Sequence, residues 1–407
     1  MRLQLKNIGK LAEADVELKG ITVIGGENDT GKSTVGKVLF SVFNGFYDVE
    51  NRIARAREAS IYHVLRKLDV NLLHSDVKAY IKRDYSLLVE KILENSEKYQ
   101  ADSASLESEI VDWFPDSSAE TIAQTAKHIS LQLSVPNQVL YSQVILNSLI
   151  GEFERQFCRQ TTEDSSISLT IQNHTANIFL KEQAVRSIEN PLYLNTETLY
   201  IDDPTVIENL RANNVYRHRA HLIQKLEEKM EQNTVDAVIY DEKMKHILEH
   251  VNRVCGGKIL QEGRELLYQI SDNSSPLSMK NVSTGIKMFA IIKRLIENGV
   301  LGFNSTLILD EPEIHVHPKW QLVFAEIIVL LQKEFDMHIL LNTHSPYFLE
   351  AIEVYSKKHG IEEKCRYYLS ENTEDGSVIR DVTDCTEEIY KKLADPFQTL
   401  EDVRYGG

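Results

Sequence analysis

The stretch ITVIGGENDTGKST, residues 21–34, decides the fold of this chain. Its first four residues form a short, largely apolar run that predicts a buried strand, and apolar residues after position 34 recur at helical spacing. Between them, residues 26–33 fill the pattern G-x-x-x-x-G-K-[ST]. The stretch therefore predicts a strand, a glycine-rich phosphate-binding loop and a helix, in that order.

The chemistry of this loop suits a nucleoside triphosphate, because backbone N–H groups at a helix N-terminus hold phosphate oxygens well. We expect Lys32 to reach the β- and γ-phosphates and Ser33 to ligate Mg²⁺, so ATP and Mg²⁺ are the predicted cofactors. A glycine-rich turn that binds nothing is the alternative, and the flanking strand and helix argue against it. The loop residues predicted to contact the nucleotide are Gly26, Asn28, Asp29, Thr30, Gly31, Lys32, Ser33 and Thr34.

A second apolar run, residues 305–309, delivers two carboxylates, Asp310 and Glu311, to its end. We expect Asp310 to hold Mg²⁺ through water beside Ser33, and Glu311 to polarise the attacking water. Alone, two acids at a strand end are as often merely solvated. Beside a phosphate loop they predict an ATPase site with Lys32, Glu311 and His344 as its catalytic residues, since His344 follows the next predicted strand and can reach the γ-phosphate or the water.

Composition bounds the location and the partners. The 407 residues carry a formal net charge of -16, so any contact with nucleic acid must be local or made by a partner. The four cysteines are scattered without a C-x-x-C pair, which suits free thiols in a reducing compartment. No apolar run approaches the length of a membrane span, and we expect a cytoplasmic protein without membrane contact.

The pattern of apolar residues predicts an α/β protein whose mixed sheet is flanked by helices and interrupted by a large helical insertion. The predicted segments are the first part of an ATPase head at 1–46, the helical insertion at 47–160, strands returning to the sheet at 161–204, a charged helical segment at 205–256 and the rest of the head at 257–407.

The order of these motifs resembles the ABC-class P-loop NTPase heads of the structural-maintenance-of-chromosomes (SMC) and overcoming-lysogenization-defect (OLD) type. The resemblance covers roughly residues 1–45 and 258–350, and it lies in the phosphate loop, an S-T-G element at 283–285, LILDEPEIHVHP at 307–318 and NTHSPYFL at 342–349. Within that group the chain is most similar to bacterial anti-phage ATPases such as those of Septu, retron, PARIS and Gabija systems.

The resemblance implies a shared site. Ser283 and Gly285 occupy the ABC signature, which contacts the γ-phosphate of ATP on the opposite subunit, although Thr284 departs from the usual L-S-G-G-Q. Residues 313–317 take the place of the loop at the dimer interface, and His344 that of the switch histidine. Two heads, as a homodimer or a higher homo-oligomer, would then close around ATP. His315 and His317 could instead suggest a metal site, but no further histidine or cysteine lies nearby in sequence.

The segment after the predicted head is short. OLD nucleases add a nuclease domain at this position, whereas only some 55 residues remain here after the helix to residue 355. We therefore predict an ATPase without its own nuclease, serving as sensor or scaffold subunit of an anti-phage complex and controlling a separate effector, such as a nuclease. The alternatives are a DNA-repair or chromosome-associated ATPase that binds DNA directly, and, less well supported, a transporter subunit.

Two groups of basic residues could contact DNA phosphates or an acidic partner, although solvated helix faces explain each of them at least as well. Contact made by a partner is the other route to DNA. The two groups are Arg52, Arg55, Arg57, Arg66 and Lys67 in the insertion, and Arg217, Arg219 and Lys225 in the later helical segment.

Overall fold

The computed structural model describes residues 1–72, 84–159, 164–210, 217–229 and 234–405. Parts of the predicted segments that fall between these ranges lie outside the described residues. The chain forms two compact units: a head unit, Met1–Tyr47 with Val144–Gly407, and an insertion unit, Asp48–Gln143. The insertion unit ends before the sequence-predicted boundary at residue 160, and the described residues from 144 onward belong to the head unit.

The strands all lie in the head unit within the described residues. They are β1 (Arg2–Ile8), β2 (Leu11–Glu17), β3 (Ile21–Gly26), β4 (Ser165–Ile171), β5 (His174–Lys181), β6 (Ala184–Glu189), β7 (Thr198–Ile201), β8 (Lys258–Glu262), β9 (Glu265–Gln269), β10 (Leu277–Ser278), β11 (Thr306–Asp310), β12 (His338–Thr343), β13 (Cys365–Thr373) and β14 (Gly376–Asp381). Eleven of these described strands form one sheet in the order β6-β5-β4-β1-β2-β14-β13-β3-β12-β11-β7, and β10-β9-β8 form a small second sheet.

The helices are α1 (Lys32–Phe46), α2 (Val49–Leu72), α3 (Ser86–Glu94), α4 (Ser96–Ala101), α5 (Ser103–Trp113), α6 (Ala119–Ser134), α7 (Asn137–Phe153), α8 (His218–Glu227), α9 (Thr234–Asn252), α10 (Thr284–Glu297), α11 (Pro318–Phe335), α12 (Pro346–His359) and α13 (Glu387–Tyr405). Single 3₁₀ turns lie at Pro204–Glu208, Met279–Asn281 and Glu362–Lys364. No helix of the described residues is long and apolar enough to cross a membrane.

The main sheet is mixed, because β13, β3, β12, β11 and β7 pair in parallel while β1, β2, β4, β5 and β6 pair antiparallel. Every residue of β3 and β11 is buried, as expected for parallel strands covered on both faces. The predicted mixed α/β sheet flanked by helices is confirmed.

The register of the parallel strands brings the predicted site together. Asp310 at the end of β11 pairs with Asn342 of β12, which in turn pairs with Ile24 of β3. Since the carboxyl ends of parallel strands meet at one edge of a sheet, the loop after β3, the acids after β11 and the histidine after β12 emerge side by side.

Each unit has its own apolar core. In the head unit, Phe289 of α10, Phe324 of α11 and Phe348 of α12 pack in succession, with ring centroids 5.3 and 6.3 Å apart. In the insertion unit, Tyr85 stacks on Phe114 at 5.3 Å within a separate cluster of buried side chains from α2 to α6. Burial of these aromatic side chains, together with the aliphatic side chains of each core, stabilises each unit.

Candidate functional site

The phosphate loop is a tight turn anchored to the neighbouring strand. Gly26 has φ 150°, and a Cβ there would lie 2.5 Å from the carbonyl oxygen of Ser370 on β13. The Ser370 hydroxyl donates to the Thr30 carbonyl at 2.7 Å, and Gly31 turns into α1 with φ 89°. Asp29, with φ 65°, adopts the left-handed conformation that an aspartate tolerates. These contacts and the positive φ angles therefore fix the tight shape of the loop.

Lys32 is folded back onto this loop. Its Nζ donates to the carbonyl oxygens of Gly26 at 2.9 Å and Glu27 at 2.6 Å, and lies 3.7 Å from Glu311 Oε1. Burial lowers the pKa of Lys32, and the nearby Glu311 carboxylate opposes that shift. A phosphate oxygen near Lys32 Nζ would add to the negative charge that Glu311 already supplies to the buried ammonium.

Asp310 is buried and held by two neutral donors. The hydroxyl of Tyr200 on β7 donates to Oδ2, and the side-chain amide of Asn342 donates to Oδ1, both at 2.8 Å. Burial raises the pKa of Tyr200 well above its usual range, so this hydroxyl keeps its proton. Sequence analysis missed Tyr200 and Asn342, because nothing in their own segments marks them as partners of a carboxylate.

The residues present fit a magnesium ion. Ser33 in the first turn of α1 and Asp310 provide hydroxyl and carboxylate oxygens, the hard ligands that Mg²⁺ prefers when phosphates complete its shell. Beside them, Asn342 Oδ1 is buried without a hydrogen-bond partner. Among the described residues no group of three or more His, Cys, Asp or Glu side chains is placed to hold a metal ion, so no third side chain of these types joins His315 and His317.

The side chains of Glu311 and His344 contact each other, and Glu311 also lies next to Lys32. Glu311 Oε1 lies 3.3 Å from His344 Nδ1, and Glu311 itself has φ 50°. Contact with His344 lowers the pKa of Glu311, and contact with Glu311 raises the pKa of His344. Glu311 is thus held as a carboxylate, the form that accepts a proton from water.

Glu313 has a role that sequence analysis missed. The resemblance implies that Glu313 lies in a loop at a dimer interface, yet its carboxylate is buried and turns inward. Oε1 accepts from the Thr343 hydroxyl at 2.5 Å and from the backbone N–H of His344 at 3.2 Å. Burial raises the pKa of Glu313. The side chain fixes the backbone that carries His344.

A cavity of about 680 Å³ opens at the loop. The predicted nucleotide-binding residues that line this cavity are Asp29, Thr30, Gly31, Lys32, Ser33 and Thr34. The predicted catalytic residues that line it are Lys32 and Glu311. Gly26 and Asn28 do not line it. Its remaining lining residues, which sequence analysis missed, are Gly9, Lys10, Lys37, Phe153, Arg155, Gln156, Cys158, Arg159 and Gln183.

The far wall of this cavity is built by segments distant in sequence. The backbone of Cys158 forms an isolated antiparallel β-bridge with Ile8 of β1. The Gln183 side-chain amide accepts a hydrogen bond from the Cys158 N–H at 2.9 Å and donates one to the Cys158 carbonyl at 2.8 Å. Basic side chains outnumber acidic ones in the lining of the cavity, although Lys10 pairs with Asp29: the basic residues are Lys10, Lys32, Lys37, Arg155 and Arg159, and the acids are Asp29 and Glu311. Such a cavity suits a polyanionic ligand.

Ser283 and Gly285 lie apart from this cavity. Ser283 is exposed at the start of α10, and neither residue is among the lining residues. A Cβ at the buried Gly285 would lie 3.0 Å from the carbonyl oxygen of His315, so glycine permits α10 to approach the loop after β11. Within one chain, Ser283 therefore does not contribute to the phosphate loop.

The basic residues considered for DNA contact are largely engaged within the chain. Arg217 pairs with Glu154 at 2.7 Å, Arg219 with Asp202 at 2.8 Å, and Lys225 with Glu197. In the insertion unit, Arg57 donates to the carbonyl oxygens of Gln132, Leu133 and Val135, and Arg55 pairs with Asp48 at 3.3 Å. These contacts favour structural roles for them.

The sequence pattern of the AAA ATPase domain family matches residues 1–349. Among curated proteins, the chain is 35% identical over 92 residues to the Retron Vc95 probable ATPase of Vibrio cholerae serotype O1 biovar El Tor. That match covers 20% of this chain and 17% of the retron protein.

Solved structures with a similar arrangement include two SMC heads. The SMC head domain from Thermotoga maritima aligns with a TM-score of 0.41 and 9% identity, covering 94% of this chain and 98% of that one. The Smc head domain with an extended coiled coil, bound to the C-terminal domain of ScpA and derived from Pyrococcus furiosus, aligns with a TM-score of 0.35 and 11% identity, covering 99% and 98%.

Proposed function

The chain belongs to the AAA ATPase domain family, and from this premise we propose that it binds Mg²⁺·ATP on the loop of residues 26–33 and hydrolyses it. One observation carries the proposal: Lys32, Glu311 and His344, from three separate stretches of sequence, form a continuous group with contacts of 3.7 and 3.3 Å. Asp310 lies next to Glu311 at the same edge of the sheet.

The residues divide the chemistry among them. The loop N–H groups and Lys32 hold the phosphates. Ser33 and Asp310 are the residues that would hold Mg²⁺, which would neutralise phosphate charge. Glu311 accepts a proton from the attacking water on its carboxylate, and His344 keeps that carboxylate ionised and oriented. The low exposure of Lys32 and Asp310 strengthens these interactions by excluding bulk water.

The test removes the Lys32 ammonium. Lys32→Ala should weaken binding of a fluorescent ATP analogue by about 100-fold or more, because a buried charge-assisted contact to phosphate is lost. Lys19→Ala is the matched control, since Lys19 is exposed and precedes β3 whereas Lys32 follows it. Equal affinity of the Lys32→Ala protein and the control would disprove the assignment of the phosphate loop.

We further propose that the chain acts as part of a larger assembly. We take two heads to close around ATP, with Ser283 of one copy meeting the nucleotide of the other, and the nucleotide state to control a separate effector in an anti-phage system. Support comes from the exposed Ser283 that its own cavity does not use, and from the match to a retron ATPase.

Copurification with the product of the neighbouring gene tests the effector role. A stable complex whose effector activity differs between the parent protein and Lys32→Ala is expected. An effector whose activity is the same with either protein, or without them, would contradict control by the nucleotide state.

A further inference from the structure

The carboxylate of Asp310 is held in one orientation by hydrogen bonds from two neighbouring strands. Each of its oxygens accepts one hydrogen bond of 2.8 Å, Oδ2 from Tyr200 and Oδ1 from Asn342. Asn342 follows Leu341 on the adjacent strand and is fixed by the sheet register. Tyr200 reaches Asp310 from β7, the last strand of the sheet, so its position depends on what packs around its ring.

The hydroxyl of Tyr200 sits in a space that a glycine leaves open. Tyr200 is fully buried, and a Cβ at Gly36 of α1 would lie 3.4 Å from its hydroxyl and 3.0 Å from Ile308. Phe40, one turn further along α1, packs its ring 6.4 Å from that of Tyr200. The helix that begins at the phosphate loop therefore borders the hydroxyl that holds Asp310.

The Tyr200 ring also stacks on His218, with centroids 4.3 Å apart and planes inclined by 25°. His218 is held on both sides. Its backbone N–H and Nδ1 contact the two oxygens of Glu152 at 2.7 and 2.6 Å, and its Nε2 lies 3.1 Å from Asp202 Oδ2. Glu152 is buried in the last turn of α7, next to Phe153, which lines the nucleotide cavity.

We propose that Tyr200 is a positioning residue for Asp310, and that the Glu152–His218 pair fixes Tyr200 so that the carboxylate meets Mg²⁺ in a single orientation. The inference rests on the proposed ATPase function. Groups that orient a metal-binding side chain contribute about 10- to 100-fold to metal affinity when they are well placed. Tyr200 is well placed for this role, because both oxygens of the Asp310 carboxylate accept hydrogen bonds and the Tyr200 ring packs against Phe40 and His218.

The test separates metal binding from nucleotide binding. In Tyr200→Phe the ring and its stacking remain and only the hydroxyl is lost. The Mg²⁺ concentration that gives half-maximal enhancement of fluorescent-ATP binding should rise about 10-fold or more. Binding of the nucleotide in EDTA should not change, because Lys32 and the loop are untouched. Tyr240→Phe is the matched control, since its hydroxyl donates to the Ile296 carbonyl at 3.0 Å and is also buried.

A second variant tests the support of Tyr200. Glu152→Gln should shift the Mg²⁺ requirement in the same direction by a smaller factor, and the double variant should show no more than the Tyr200→Phe effect, because Glu152 acts through Tyr200. The melting temperatures of all variants show whether any of them has lost its fold. If Tyr200→Phe does not fold, the Mg²⁺ requirement of Glu152→Gln, compared with that of the parent protein, tests the positioning role instead.

The outcomes distinguish this inference from the proposed function. If the parent protein shows no Mg²⁺-dependent nucleotide binding, the proposed function is wrong. If the parent protein requires Mg²⁺ and Tyr200→Phe requires no more of it than Tyr240→Phe, the function stands and the positioning role is wrong.

Discussion

At the scale of single residues, the backbone of Glu311 is the most informative feature of the site. It adopts φ 50°, a left-handed conformation that costs a non-glycine residue about 1–2 kcal/mol. Its N–H donates to the Asn342 carbonyl at 2.9 Å, and its side chain contacts His344 and Lys32. The surroundings impose this strained conformation, and it directs the carboxylate toward the phosphate loop.

Glu311→Gln keeps the shape of the side chain and removes its ability to take a proton. We expect ATP hydrolysis to fall by about 100-fold or more, while nucleotide affinity is retained, because general-base contributions have that size. Phosphate release under single-turnover conditions and binding of a fluorescent ATP analogue measure the two effects. Turnover at the parental rate would show that another group activates the water.

Gly26 shows how tightly the loop is built. Gly26→Ala should destabilise the chain by about 2–4 kcal/mol, because an alanine at φ 150° is strained and its Cβ would lie 2.5 Å from the Ser370 carbonyl. Gly263→Ala is the control: it also has positive φ, at 61°, but nothing within 4 Å, so about 1 kcal/mol is expected. Urea unfolding measures the free energy of unfolding of both variants. If both lose the same free energy, the contact between the added Cβ at position 26 and the Ser370 carbonyl is relieved without cost.

At the scale of elements, one ion-pair network joins the end of α7, the end of β7 and the start of α8. Burial opposes the charge on His218, but contacts with Asp202 and Glu152 outweigh it and raise the pKa of His218 to about 9. The same contact with His218, together with Arg219, lowers the pKa of Asp202 to about 2 against the effect of burial. These elements are therefore joined through a histidine that is protonated at neutral pH.

The raised pKa of His218 determines how the stability of the folded chain changes with pH. A folded pKa above the unfolded value of about 6.5 means that the stabilisation is fully present below pH 6.5 and is lost as pH rises through about 9. The melting temperature of the parent chain should therefore exceed that of His218→Gln by several degrees at about pH 6.5 and by less at about pH 9.5. A difference that does not change with pH would show that the ring is neutral in the folded chain.

The elements that sequence could predict are those that carry their own signal. Residues 21–24 and 305–309 are largely apolar runs, and β3 and β11 lie there. The glycine pattern at residues 26–33 predicts the loop that follows β3. Tyr200 and Phe153 could not be predicted as site residues. Their contacts with the site depend on strand order and helix packing, and both depend on the whole chain rather than on local periodicity.

Glu313 illustrates a different reason for failure. The family resemblance implies an interface loop for residues 313–317, yet whether a side chain that follows a strand turns outward or inward depends on the donors that the next strand offers. Here the Thr343 hydroxyl and the His344 N–H offer two hydrogen bonds to a buried carboxylate.

At the scale of the whole molecule, the site of one chain lacks what the proposed dimer would add. Ser283 is exposed and outside the cavity, and the segments after β11 and β12 expose Ile314, Leu322 and Tyr347. Exposed apolar side chains at these positions are available for contact with another protein. In the proposed dimer, the second copy contributes its Ser283 to the nucleotide site.

Mixing two inactive variants tests this arrangement in full. Lys32→Ala removes the phosphate contact within a chain, and Ser283→Arg places a bulky charge where the other chain's nucleotide would lie, so each alone should hydrolyse little ATP. In an equal mixture, half of the dimers combine both variants and keep one intact site of two. Hydrolysis should then recover to about a quarter of the parental rate, as closed two-fold symmetry requires. Ser283→Ala alone should be milder than Ser283→Arg, and it controls for loss of the hydroxyl. If mixed dimers form, as crosslinking of differently tagged chains would show, and hydrolysis does not recover, Ser283 does not act across the interface.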